Sequence, residues 1–462
     1  MAVGMKKGLA LIMLANLINL IIGLVNGFVL PKFLSVETYA MIKTYTLYST
    51  YAGIFHLGYL DGMYLKYGGK EMLSVSAKEY GNDFKNIVVF QFVVAILVLI
   101  LGWILADFVL MAFAVVLFFK NVTSCYQMFF QATGEFKLYS NALNYGTILS
   151  FIVSILLIFV FHSDDYKLYI GAQVLSTIVI TIYLGIILNK SLPYFKGATL
   201  SKQAMIENIR SGFVLMIGNF SNNLFTSIDR WFVKILMTTF HFAAYSFAVS
   251  IDSLITVFIT PLYITLYNAF CKDHSPERIL SIKRLVMIWG FVLISFAFLA
   301  KWVVETYLPK YVDSLPILFI LSSAQVFYAV IKGVYVNYFK ALKKQTQYFW
   351  QIVAMLFVAI ALSLGLYLIY KSMMSLAVAA LLTAVIWLVI NEVQFKELRF
   401  SHKDWIYLTF LLVAYIFLSQ LPITLVAMGA YLVLMVIMSL LFMREQCSQL
   451  YTMIINKLKR NK

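Results

Sequence analysis

Residues 8–30 of the chain read GLALIMLANLINLIIGLVNGFVL, without a single charge. At 1.5 Å per residue such a helix covers ~35 Å, more than the roughly 30 Å of hydrocarbon in a bilayer. The run is too long for the apolar core of a signal peptide and carries no small-residue cleavage site, so it reads as a true membrane span. Its polar residues are ordered: Asn16, Asn19 and Asn26, with Gly23 among them, follow three- and four-residue steps and share one helix face.

Apolar runs of this kind recur along all 462 residues. Hydrophobic residues make up 62% of the chain and charged residues only 12%, where a soluble domain carries under half and about a quarter. That composition excludes a water-soluble enzyme, a disordered chain and a secreted disulfide scaffold. Cys125, Cys271 and Cys447 lie far apart without metal-ligand spacing, so neither a disulfide framework nor a metal site is expected. A net charge of +16 would suggest nucleic acid in a soluble protein. In a membrane protein it marks cytoplasmic loops, and no nucleic-acid partner is expected.

Hydropathy predicts fourteen helices, roughly 8–30, 39–60, 85–106, 108–131, 139–161, 167–189, 210–237, 241–270, 282–304, 313–340, 347–370, 373–395, 404–421 and 423–443. The expected class is therefore an all-α integral membrane protein with about 14 transmembrane helices. An even number puts both termini on one side, and with these bounds twenty-six Lys and Arg fall on that side. The other side holds Lys32, Lys167, Lys301, Lys310 and Lys371. The positive-inside rule then makes the termini cytoplasmic. Loops on the opposite side are too short for a catalytic domain, and phosphate-binding glycine loops, His-Glu-x-x-His pairs and nucleophile elbows are absent from the sequence. Neither catalytic residues nor a cofactor is expected.

The chain also carries signs of duplication. An offset of 203 residues sets Asn16 on Asn219, Asn19 on Asn222, Asn26 on Asp229, Met13 on Met216 and Ala40 on Ala243 without a gap. A second match, at an offset of 209, lays residues 131–139 against 340–348. The simplest organisation is two six-helix bundles in parallel pseudo-repeat, 1–190 and 210–396, joined by a cytoplasmic linker at 191–209. An extra helix pair at 397–443 and a basic cytoplasmic tail at 444–462 complete it. Helix–helix bonding is the commonest role of asparagine in membranes; recurrence of the stripe in both halves favours a cavity lining.

Charges inside the spans are expensive and mark candidate sites. Five bases lie there, Lys43, Lys120, Arg230, Lys234 and Lys332, against two comparably deep acids, Asp229 and Asp252. Lys43 and Lys234 lie one turn from helix ends and can snorkel. Lys120 lies mid-helix. Lys332 corresponds to Thr123 at the offset of 209, so each half aims a lysine from an equivalent helix. Arg230 can pair with Asp252 on the next helix or locally with Asp229, either structurally or as a coupling element. The lysines then leave a positive potential suited to a phosphorylated substrate.

The stretch Leu30-Pro31-Lys32-Phe33-Leu34-Ser35-Val36-Glu37-Thr38-Tyr39, followed by His56-Leu57-Gly58-Tyr59-Leu60-Asp61-Gly62, resembles the first two helices of bacterial polysaccharide flippases. Asp229-Arg230 and Phe242-Ala243-Ala244-Tyr245-Ser246 are similar to the matching segment of their second half. These are the O-antigen (Wzx-type) and related transporters of the multidrug/oligosaccharidyl-lipid/polysaccharide exporter superfamily. The resemblance is one of pattern over roughly residues 1–400. It implies two bundles around a cavity, alternating access, and export of undecaprenyl-pyrophosphate-linked oligosaccharide across the bacterial cytoplasmic membrane. H⁺ or Na⁺ would be the coupling ion, and other polysaccharide-assembly membrane proteins possible partners. Under it, Lys120, Lys332 and Arg230 would meet the diphosphate, and Asn16, Asn19, Asn26, Asn219 and Asn222 the sugars. Such flippases are often described with twelve spans, whereas lipid II flippases of the superfamily have an additional pair. A drug/cation antiporter of the same superfamily is the alternative, although it should concentrate carboxylates. A membrane-embedded polymerase or glycosyltransferase would want a sizeable external loop.

Overall fold

A computed structural model describes residues 18, 20–273, 275–449 and 451–452. Within them the regular structure is helical: α1 (Leu20–Phe33), α2 (Val36–Thr50), α3 (Tyr59–Tyr67), α4 (Ala77–Ile104), α5 (Phe108–Ala132), α6 (Phe136–Phe159), α7 (Tyr166–Ser191), α8 (Lys202–Phe225) and α9 (Ile228–Leu236). There follow α10 (Thr239–Lys272), α11 (Pro276–Ile294), α12 (Phe296–Tyr307), α13 (Leu315–Val330), α14 (Val336–Ala341), α15 (Gln345–Tyr370), α16 (Met373–Gln394), α17 (His402–Ser419) and α18 (Thr424–Phe442). Among the described residues, 10 helical stretches are long and apolar enough to cross a membrane, with α11 and α12 forming one of them and α13 and α14 another. The all-helical membrane class holds over these residues, whereas length and composition do not by themselves establish the count of fourteen. The second and seventh predicted spans are broken, at residues 51–58 and 226–227, and α17 opens on His402, Lys403 and Asp404.

Local chemistry sets the helix ends. Asp107, the one residue interrupting the apolar run between α4 and α5, caps α5 by accepting from the Leu110 N–H at 3.1 Å. Ser401 and Asp404 form a reciprocal capping box at the start of α17.

The chain divides into two compact units, residues 1–226 and 227–462. In the first, α3 and α8 pack backbone to backbone. A methyl group at Gly62 would lie 2.0 Å from the Asn208 carbonyl oxygen, and one at Gly212 would lie 2.1 Å from the Gly58 oxygen. Small residues alone permit that approach. The same seam buries Asp83, which accepts from Lys66 Nζ at 2.7 Å, Tyr67 OH at 2.6 Å and Asn208 Nδ2 at 3.2 Å. In the second unit, Lys301 Nζ donates to the Ser419 and Leu421 carbonyls at 2.8 and 2.9 Å, tying α12 to the joint between α17 and α18.

Backbone detail repeats between the units at the offsets found in the sequence. Ser35 caps α2 by accepting from the Thr38 N–H, and Thr238 caps α10 by accepting from the His241 N–H, each 203 residues on. At 209, the turn after α5 bonds Thr133 N to Phe129 O and Glu135 N to Phe130 O. The turn after α14 bonds Leu342 N to Tyr338 O and Lys344 N to Phe339 O. Gly134 and Lys343 hold the same left-handed conformation there, at φ 78° and 54°. Glycine takes it without strain and lysine does not, so the second turn keeps the geometry at a cost.

Candidate substrate cavity

The second predicted span does not run straight. After α2 the backbone tightens into a 3₁₀ turn at Ala52–His56, then passes through Leu57 and Gly58 at positive φ before α3. Carbonyls in such a break lack helical partners, and lipid offers none. Side chains from α4 and α5 take them up. Lys120 Nζ donates to Ser49 O at 2.7 Å, Asn121 Nδ2 to Ala52 O at 3.0 Å, and Gln91 Nε2 to Phe55 O at 2.9 Å. Asn121 also donates to Gln91 Oε1 at 2.6 Å, closing the network.

Around this break lies a cavity of about 350 Å³, whose wall includes Lys120, Asn121, His56, Asn219, Asn222 and Asn223. Asp61, also on the wall, accepts from Asn219 Nδ2 at 3.2 Å and lies 3.9 Å from His56 Nε2. Both acid and imidazole are turned into the seam, their side chains 5% and 6% exposed. The Lys120 amine has no carboxylate within ion-pairing distance among the described residues. A second cavity of about 370 Å³ opens between α2, α5, α6 and α7. Lys120, Thr50 and Ser124 line both.

In the second unit the two candidate acids accept their hydrogen bonds from neutral groups. Asp229 accepts from Tyr245 OH and from the Arg230 backbone N–H, both at 2.8 Å. Asp252 accepts from Gln325 Nε2 at 2.6 Å. The buried Nε of Arg230 and Oδ1 of Asp252 find no hydrogen-bond partner among the described residues. The sequence-derived Arg230–Asp252 pair is thus replaced by an amide contact. Lys332 sits in a π-helical turn, Ile331–Tyr335, with its amine 5.4 Å from the centre of the Tyr328 ring. A π-turn inserts one residue, so upstream of it the register falls from 209 to 208 and pairs Lys120 with Tyr328. Lys332 reaches back over that ring from the next turn. Such turns recur at functional positions.

Of the candidate residues, Lys120, Asn219 and Asn222 line one cavity. Asn26 lies on α1, its buried Oδ1 without a hydrogen-bond partner among the described residues; Asn16 and Asn19 lie outside the described residues. Lys43 and Lys234 rest over the Tyr39 and Phe242 rings, at 5.1 and 5.3 Å. His56, Asp61, Gln91 and Asn121 belong to the site but escape hydropathy, which ends the second span at residue 60 and leaves Asp61 in a loop. The available signal was Gly58-x-x-x-Gly62 flanked by a histidine and an acid.

Beside the buried Asp61 and Asp83, an ion pair in the second unit also corrects the expectation that only Asp229 and Asp252 lie deep among the acids. Glu392 is buried against Lys283, which is itself wholly buried and donates to Tyr335 OH and Leu398 O at 2.7 Å. Lys283 counts as a loop cation in the sequence; α11 starts six residues earlier than hydropathy suggests and carries it inside.

A profile described as polysaccharide biosynthesis protein matches residues 5–274, more than half of the chain. The chain belongs to that family. No curated protein matches it in sequence. Among solved structures, a lipid II flippase MurJ in an inward closed conformation superposes with TM-score 0.68 at 12% identity, covering 94% of this chain and 99% of that one. A multidrug resistance MATE family transporter of the MOP superfamily, inward-facing, gives 0.58 at 12% identity, over 85% and 98%. At such identities the likeness is one of fold. This polysaccharide biosynthesis protein is accordingly a multi-pass membrane protein, helical over its described residues, that shares its fold with MurJ and with that MATE transporter.

Proposed function

We propose that this protein is a flippase that carries an undecaprenyl-pyrophosphate-linked oligosaccharide outward across the bacterial cytoplasmic membrane by alternating access. The observation that supports it most is Lys120. Its amine stands on a polar cavity, bonded to one backbone carbonyl and to no carboxylate among the described residues. A lysine at membrane depth without a counter-charge is expensive unless an anion supplies one. Lys332, held over a ring, is its counterpart in the second unit. Arg230 is a third cation for the diphosphate, and the asparagines Asn219 and Asn222 would meet sugar hydroxyls.

Energetics favour the direction. A diphosphate carries about two negative charges, and moving it outward down an inside-negative potential is worth ~4–5 kcal/mol per 100 mV. The lysine distribution supports cytoplasmic termini, and Asp252 or Asp229 would bind a coupling H⁺ or Na⁺.

Neutralising Lys120 or Lys332 should strand lipid-linked glycan on the cytoplasmic leaflet while protein levels hold. Wild-type export in both Lys120→Ala and Lys332→Ala would overturn the assignment. The antiporter alternative draws on the MATE-like fold, but its cationic substrate would face an unneutralised Lys120. Retention of a cationic dye by purified protein would favour it.

A further inference from the structure

The second cavity of the first unit has a composition that the diphosphate reading does not use. Its wall carries Thr46, Thr123, Gln127, Thr147, Gln173 and Thr177, with the Tyr45 ring beside them. Hydroxyl- and amide-bearing residues are the commonest on it, interleaved with apolar surface, and among the described residues it carries no carboxylate and no charge but Lys120. At about 370 Å³ it falls in the range of small-molecule sites. Hydroxyls and amides gathered at membrane depth call for water or a ligand with polar groups, and the apolar surface between them suits the C–H faces of such a ligand.

Its chemistry restricts the ligand. A cation would lack a counter-charge and would meet Lys120. A multiply charged anion would find a single base at one edge and nothing further in. A neutral polyhydroxylated body joined to one anionic group satisfies both parts. The hydroxyls here are also pre-set as acceptors: Thr46 Oγ1 donates to Ile42 O and Thr177 Oγ1 to Gln173 O, both at 2.9 Å, which commits their protons and leaves lone pairs for ligand O–H groups. Gln173, one turn before Thr177 on α7, supplies amide donors on the same wall.

We infer that this chamber is a saccharide subsite, which receives the sugar nearest the diphosphate while Lys120, shared by both cavities, holds the diphosphate at its mouth. This rests on the lipid-linked glycan reading and adds to it: selection among substrates by the first sugar, inside the first unit.

The test measures binding of three lipids to the purified full chain: undecaprenyl diphosphate, and the same lipid bearing one N-acetylglucosamine or one galactose. At least one sugar-bearing lipid should bind tenfold or more tightly than the sugar-free one. In Gln173→Leu, and in the isosteric Thr177→Val, that ratio should fall at least fivefold, while Lys120→Gln weakens all three. Sugar-free and sugar-bearing lipids binding alike, or ratios unchanged in both variants, would overturn the subsite and leave the diphosphate reading standing. Failure of all three lipids to bind folded wild-type protein would instead remove the reading beneath it.

Discussion

Lys283 and Lys120 show two ways of keeping a lysine where water is scarce. Lys283, on α11, is wholly enclosed and fully answered: Glu392 faces it, Tyr335 OH and Leu398 O accept from it, and the Phe400 ring lies 3.5 Å away. Glu392 is satisfied in turn by the Phe400 N–H at 2.6 Å. Lys120 has one carbonyl and an open cavity. Where the fold needs a lysine as structure, it supplies the carboxylate, the ring and the carbonyl together. Where it supplies only a carbonyl, the remaining valence of the amine is left for something that arrives.

The contrast breaks most visibly at Glu392. Glu392→Ala leaves Lys283 buried without its counter-charge and should cost ~3–5 kcal/mol, read as thermal unfolding in detergent. Pairing Glu392→Leu with Lys283→Met should restore most of that loss; a double variant as unstable as the single one would mean the knot is more than charge neutralisation.

Gly62→Ala comes next. The new methyl group collides with the Asn208 carbonyl, so α3 and α8 must part, at about 1–3 kcal/mol. Because Asp61 and Asn219 meet across that seam, export should fall with stability. Unchanged export would show that the seam need not be tight for transport.

Asn121→Leu removes the donor shared by Ala52 O and Gln91 Oε1 and should cost about 1–2 kcal/mol, with faster amide exchange confined to residues 51–58. Uniform exchange would argue that the break is held by packing instead.

The smallest effect on stability belongs to Lys120→Gln. It deletes a charge that carries its own burial cost, so the melting temperature should shift by the equivalent of less than ~1 kcal/mol, although export is lost. A destabilisation as large as that of Glu392→Ala would place Lys120 with the structural lysines.

Much of this was legible beforehand, for identifiable reasons. Apolar runs reveal spans, a lone Asp107 marks the joint where the structure caps α5, and the offsets of 203 and 209 align segments in which the structure repeats caps and turn hydrogen bonds. Lys120 stood out because nothing apolar explains a base in mid-span. Hydropathy is blind, however, to hydrogen bonding along a backbone. The break at 51–58 carries Tyr, Ile, Phe and Leu and reads as a continuation of α2, with Gly53 and Gly58 the hints of a turn. It is equally blind to partners far along the chain. Lys283 finds Glu392 109 residues away and Lys301 finds the Ser419 carbonyl 118 residues away, so both pass for loop charges until the fold closes on them.

The central claim is that Lys120 and Lys332, which have no fixed counter-charge among the described residues, receive one from the substrate. Stabilisation of the purified protein by undecaprenyl diphosphate tests it most directly, since a ligand at a hundred times its Kd adds about 2.7 kcal/mol. Wild-type protein should gain a melting shift that Lys120→Gln combined with Lys332→Gln loses. An equal shift in both proteins would contradict the account.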